Sequence, residues 1–304
     1  GDLEEVVRIL AENRWPWRMH ATYDETISRS LDVFEKVNKD IPLEGLNWFF
    51  DHAETISDRS IDRIAALGGG IAVQHRMAYQ GEYFVEQYGH AAAEVTPPIG
   101  KMLSKGVHVS AGTDATRVAS YNPWVSLSWM ITGKTVGGMQ LYPRRNCLDR
   151  ETALRMWTEK VTWFSNEEGK KGRIEKDQFA DLVVPDKDFF NCSEDEISFL
   201  TSDLTMVSGK VVYGANAFKD LDENPIPPAM PDWSPVRKFG GYAAWGEPEG
   251  AGKNSLRRTA ISTCGCSNSC GVHGHDHAAA WGSQLPIGDL KGFFGALGCA
   301  CWAV

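Results

Sequence analysis

LNWFFDHAETISDRSIDRIAALGGGIAVQHR, residues 46–76, reads as strand, helix, strand. The apolar run of LNWFFDHAE (46–54) ends on polar residues. Ser57 is the expected N-cap of the helix that follows, because its hydroxyl can accept a free backbone N–H of the first turn. The glycines after Leu67 stop that helix, and GIAVQHR (70–76) opens the next strand. Working outward, WPWRMHA (15–21) is a short strand. Before it, DLEEVVRILAENR (2–14) has the pattern of an amphipathic helix, with Leu3, Val6, Ile9 and Leu10 expected to share a face and acids at its start. After it, YDETISRSLDVFEKVNKD (23–40) places Ile27, Leu31 and Phe34 at helical spacing. VTPPIGKMLSKG (95–106) is a helix with a proline-marked start, and VHVSAGTDAT (107–116) is a fourth strand. Strands alternating with helices imply a parallel sheet. Units of this size fit a doubly wound sheet or a barrel, and polar residues at the C-terminal ends of several strands favour a (β/α)8 TIM-type barrel.

Beyond residue 120 the pattern changes. LDRETALRMWTEKVTWFS (148–165) is expected to form one long helix, and FADLVVPDKDFF (179–190) a short β-rich piece. LTMVSGKVVYG (204–214) carries a glycine-centred turn between apolar segments, the pattern of a hairpin. Residues 215–262 are rich in Pro, Gly, Asp and Trp and are expected to wrap the surface without regular structure. The expected α/β organisation is a partial barrel over residues 1–170, part of a small β-sandwich over 171–214, and an irregular C-terminal segment over 215–304.

The 304 residues suffice for one large domain, or one domain and a smaller one. Apolar and charged fractions of 42% and 23% are those of a soluble globular protein. A formal charge of −9 and the lack of any Lys/Arg-rich run argue against nucleic acid as the main partner. No apolar run reaches the roughly 18 residues a membrane-spanning helix needs. The first residues, GDLEEVVRIL, lack the basic start and apolar centre of a signal peptide. The cytoplasm is the expected location, with the periplasm left open because the natural start is expected to lie upstream. Of seven cysteines, Cys264, Cys266, Cys270, Cys299 and Cys301 cluster at the end, so no disulfide framework for the whole chain is expected. The 11 tryptophans are read mostly as packing residues; Trp124 and Trp129 either line an apolar pocket or pack.

His20, His52 and Asp114 stand at the ends of three of these apolar runs. Imidazole nitrogens and a carboxylate suit a divalent metal such as zinc. Such an ion brings the pKa of water toward about 7, and a carboxylate beside that water can take its proton and return it to a leaving group. Asp114 is placed for that work, with Gly112 leaving room for close approach. Taken singly, either histidine is a common strand-end residue and Asp114 a capping residue; the conjunction carries the metal reading. His75 is read as pocket wall or packing. His108 stands near a strand start and is expected at the opposite, structural end.

These segments resemble the amidohydrolase superfamily, in particular its amidohydrolase-3 group of metal-dependent hydrolases. MHATYDETI resembles the strand-five segment, with Asp24 matching its aspartate and Tyr23 in place of the usual glycine. FFDHAE resembles the strand-six Glu-His-Ala segment, with Asp51 in place of glutamate, and SAGTDAT resembles the strand-eight Gly-Ser/Thr-Asp segment. RETALRMWT, FADLVVPDKDFF and TMVSGKVVYG resemble the closing helix and the small β-sandwich. The likeness covers about residues 1–214. It implies that His20 and His52 are metal ligands and that Asp114 is both ligand and general base. The activity it implies is hydrolysis of a C–N bond in a small-molecule substrate, with one or two divalent ions, most simply zinc. Ester or imine hydrolysis and deamination are alternatives within the same superfamily.

The family's His-x-His pair on the first strand, and its bridging lysine or glutamate on the fourth, have no counterpart here. The expectation is therefore the C-terminal half of a barrel whose N-terminal half precedes Gly1. Such a piece is expected to be inactive alone and to aggregate or self-associate, since it leaves strand edges open; a homo-oligomer is also left open. Finally, STCGCSNSCGVHGHDHAAAW holds Cys264, Cys266, Cys270, His273, His275 and His277. By composition it is a second metal-binding candidate, and the basis of a rival reading as a non-catalytic metal binder.

Overall fold

The computed structural model describes residues 1–115 and 118–222, together with the backbone of two paired segments, Ser269–Cys270 and His275–Asp276. Residues 223–262 and the tail candidates Cys264, Cys266, His273 and His277 lie outside the described residues, and of Cys270 and His275 only the backbone is described.

Helices and strands alternate from the start: α1 (Asp2–Glu12), β1 (Trp17–Tyr23), α2 (Asp24–Asn38), β2 (Trp48–Thr55), α3 (Asp58–Ala66), β3 (Gly70–Gln74), α4 (Met77–Tyr88), α5 (His90–Ala93), α6 (Ile99–Ser104) and β4 (His108–Gly112). The four strands form one parallel sheet in the order β1-β2-β3-β4. Its register aligns Met19, Phe50, Ile71 and Val109 in a row across the sheet. That face shares one core with Ile27, Leu31 and Phe34 of α2 and Ile61 and Ile64 of α3. The Phe34 ring stacks on Phe50 with centroids 5.7 Å apart and meets Trp48 edge-on at 5.0 Å. Each such side chain contributes about 1.5–3 kcal/mol through burial. Ser57 caps α3 as the sequence implies: its Oγ accepts the Ser60 N–H at 3.2 Å.

α1 differs from expectation in its rotation. Val7 and Ala11 are buried, whereas Val6 and Ile9 are exposed. Beside the buried row, Glu4 is tied to Lys36 of α2 and Arg8 to Asp40 just beyond it. These bonds flank the buried Val7–Ala11 row. Past β4 lies α7 (Pro123–Thr132), capped by Asn122 and ended by Gly133 at φ +68°. It is buried on nearly every side, so its sequence carries no amphipathic stripe to mark it.

The long helix expected over residues 148–165 is two helices, α8 (Arg150–Trp157) and α9 (Val161–Phe164), broken at Thr158, where φ and ψ are −120° and −78°. The break carries Trp163 and Phe164 beneath the N-terminal ends of the strands. There the Asn47 side-chain amide donates to the Trp163 carbonyl, and Gly70 leaves room for both rings. β5 (Leu182–Pro185), β6 (Ser202–Val207) and β7 (Lys210–Gly214) form a separate antiparallel sheet. Ser208 and Gly209, both at positive φ, make the tight turn of the β6–β7 hairpin. Last, β8 (Ser269–Cys270) pairs antiparallel with β9 (His275–Asp276). Among the described residues no helix is long and apolar enough to cross a membrane.

Candidate metal centre

In a parallel sheet, neighbours in register face the same side. His20 pairs with Asp51, and Ala21 with His52. Strict alternation would therefore put the His52 side chain on the helix-packed face with Ala21, away from His20. The backbone prevents this. His52 and Ala53 adopt φ of +80° and +55°, and the pairing then jumps from Ala21–His52 to Tyr23–Thr55, so β2 holds one residue more than β1. This is a β-bulge, the device that re-aims a side chain at a strand end. The His52 ring consequently lies edge-on to His20, with centroids 4.5 Å apart. Left-handed backbone at a residue with a Cβ costs about 1–2 kcal/mol, and such strain gathers where a site needs it. Asp114 has the same character: it follows β4 at φ +52°, and its Oδ2 lies 4.0 Å from His52 Nε2.

The three residues singled out in the sequence thus stand together at the C-terminal ends of β1, β2 and β4. His20 is exposed, His52 is buried, and the Asp114 side chain is 48% exposed. Two imidazoles and a carboxylate suit a divalent ion in kind. In number they fall short of a cage. Among the described residues, no group of three or more His, Cys, Asp or Glu side chains is arranged to hold a metal ion. Burial holds the His52 pKa down, and the neighbouring His20 adds to the effect. The neutral ring this favours is the form that ligates. Asp51 lies beside them and meets Arg18 Nε at 3.2 Å, yet burial still pushes its carboxyl above the usual range.

Sequence reading missed Glu54. It is 4% exposed, both carboxylate oxygens are buried without a hydrogen-bond partner, and burial pushes its pKa up to about 7. Its Oε1 lies 3.9 Å from His52 Nδ1, the nitrogen opposite the one facing Asp114. The only signal was an acid two residues after a histidine in an otherwise apolar strand. Asp24 proves structural: its Oδ1 accepts the Ser57 N–H at 2.8 Å, joining the start of α2 to the start of α3.

His75, just past β3, is fully buried, its ring tilted against Tyr79. The Gly112 backbone is near enough to favour its charged form slightly, but neither ring nitrogen finds a partner in hydrogen-bonding geometry. His108, at the start of β4, stacks on Trp163 with centroids 4.1 Å apart, at the opposite end of the sheet from His20. Trp129 is buried edge-on to Tyr142, and Trp124 is tilted against Phe189; both pack.

A model described as the amidohydrolase family matches residues 1–213, and the chain belongs to that family. It is 22% identical over 214 residues to YtcJ of Bacillus subtilis (strain 168), covering 69% of this chain and 40% of that protein. It is 27% identical over 201 residues to an N-substituted formamide deformylase of Arthrobacter pascens, covering 64% and 36%. An uncharacterised metal-dependent hydrolase from Pyrococcus horikoshii OT3 shares its fold, with a TM-score of 0.52 and 22% identity over 64% of this chain and 39% of that one. So does a variant of atrazine chlorohydrolase TrzN from Arthrobacter aurescens TC1, solved with zinc and atraton, with a TM-score of 0.50 and 16% identity over 80% and 51%. The chain therefore spans about two fifths of the length of the curated relatives it matches.

Proposed function

We propose that this chain carries the His52-centred part of the active site of a metal-dependent hydrolase that cleaves an amide-type C–N bond in a small molecule. The observation that carries the reading is the bulge at His52 and Ala53, which turns His52 toward both His20 and Asp114 at a strand-end mouth. The four parallel strands are then the C-terminal half of a (β/α)8 barrel, and β5–β7 are part of a small β-sandwich. His20 and His52 would hold a divalent ion through ring nitrogens, and Asp114 through a carboxylate oxygen. A metal cage needs further donors beyond these three. Zinc is favoured by the zinc in TrzN. When bound, the ion polarises a substrate carbonyl and makes water acidic enough to react near neutral pH.

Asp114 is the proton carrier. Its half-exposed carboxylate sits where it can take a proton from water at Oδ2 and deliver it to the departing nitrogen. Burial of His52 favours its neutral, ligating form. The deformylase relative supports an amide over an ester as substrate class.

The test offers the zinc-loaded protein a panel of N-substituted formamides and other small amides. Asp114→Asn is expected to lower kcat by about 100- to 10,000-fold, the usual worth of general acid–base catalysis. Unchanged kcat in Asp114→Asn refutes the assignment.

A further inference from the structure

Two buried polar groups face one another on β2, neither in hydrogen-bonding geometry with a partner. His52 Nδ1 is buried without a hydrogen-bond partner, and so are both oxygens of Glu54. They are 3.9 Å apart, while the other ring nitrogen, Nε2, lies 4.0 Å from Asp114 Oδ2. An imidazole N–H is a donor and a carboxylate an acceptor. Leaving both unpaired in the interior is costly. Arg76 acts on Glu54 through its charge but makes no hydrogen bond to it, and its Nε donates to Gln80 at 2.6 Å. The bulge that re-aims His52 also fixes Glu54 beside it, two residues along the same strand.

We infer that Glu54 is a positioning residue for His52: its carboxylate accepts the Nδ1–H, fixing the ring in the tautomer that presents a bare Nε2 toward His20 and Asp114. This rests on reading the mouth as a metal centre, because a carboxylate behind a ligating imidazole fixes the ring's orientation and raises its basicity. One rival is beside it. The Gln74 side chain also approaches His52, and its carbonyl oxygen is likewise buried without a partner.

Two measurements on the protein separate the outcomes. The first needs no metal. Long-range 1H–15N spectra of the zinc-free protein at pH 8, with the His52 signals identified by their loss in His52→Gln, report which nitrogen carries the proton. The inference expects Nδ1–H in the wild type and a mixture in Glu54→Leu; Nε2–H in the wild type overturns it, whatever the fate of the metal reading. The second is zinc affinity by competition with a chromophoric chelator. Glu54→Leu is expected to weaken zinc about 10- to 100-fold. Glu54→Gln, which keeps an acceptor oxygen, is expected to recover most of that loss, with the far-ultraviolet circular dichroism of each variant confirming the fold. Equal weakening in Gln and Leu variants that are both folded overturns the inference. So does a Gln74→Leu variant that alone reproduces the tautomer mixture. A wild type that binds no zinc but shows Nδ1–H refutes the metal reading and leaves the pair standing.

Discussion

Acidification is expected to cost the folded protein about 3 kcal/mol through His75 alone. The ring is 0% exposed and neither nitrogen is hydrogen-bonded. Burial penalises the imidazolium and brings the pKa from the ordinary 6.5 to about 4. Above pH 6.5 the ring is neutral in both folded and unfolded chains and adds no pH dependence. As the pH falls below 6.5, the unfolded chain takes up a proton that the folded one refuses until about pH 4. The unfolded state thus binds more protons across that window, and stability is lost as pH falls. At about 1.4 kcal/mol per pH unit, the window amounts to about 3 kcal/mol. The assay is urea unfolding followed by tryptophan fluorescence at pH 7 and pH 4, for the wild type and His75→Leu. Other histidines held low by burial, His52 and His108, are common to both proteins and cancel. The drop in unfolding free energy between the two pH values should be smaller in the variant by about 3 kcal/mol. Equal drops would show that His75 already charges freely in the folded state, and the buried, unpartnered ring would be wrong.

Two further expectations concern the frame that holds the site. Gly70→Ala puts a methyl 2.7 Å from the Trp163 ring and 3.1 Å from the His108 carbonyl oxygen; overpacking of this kind should cost about 1–3 kcal/mol in urea unfolding and disturb Trp163 fluorescence, and a neutral effect would contradict the plug beneath the strands. Phe50→Ala removes a fully buried ring packed on Phe34 and Trp48, for an expected loss of about 3–5 kcal/mol by the same assay; a loss below about 1 kcal/mol would mean that the core closes differently.

Legibility followed the strength of local signals. The strand–helix–strand reading of residues 46–76 rests on an apolar run, a serine cap and terminating glycines, and each is found in place. His20, His52 and Asp114 could be picked out because strand ends are where such side chains gather. What placed His52 beside His20 was not legible, since the positive φ at His52 and Ala53 contradicts the alternation that a sequence reading assumes. Glu54 was hidden for the same reason. α1 was legible as a helix but not in its rotation, because which apolar residues are buried depends on the distant α2 it packs against. α7 escaped because a helix buried on all sides has no stripe, and the break at Thr158 escaped because helical periodicity continues across it.

The central claim is that the chain's chemistry lies at the mouth formed by His20, His52 and Asp114, and metal content tests it most directly. The protein should be loaded with zinc, desalted and measured by mass spectrometry as the wild type, as His52→Ala, and as a chain ending at Thr259. The account predicts that His52→Ala loses about one equivalent of zinc and that the chain ending at Thr259 retains it. Unchanged zinc in a folded His52→Ala, with loss on removal of the tail, would contradict it.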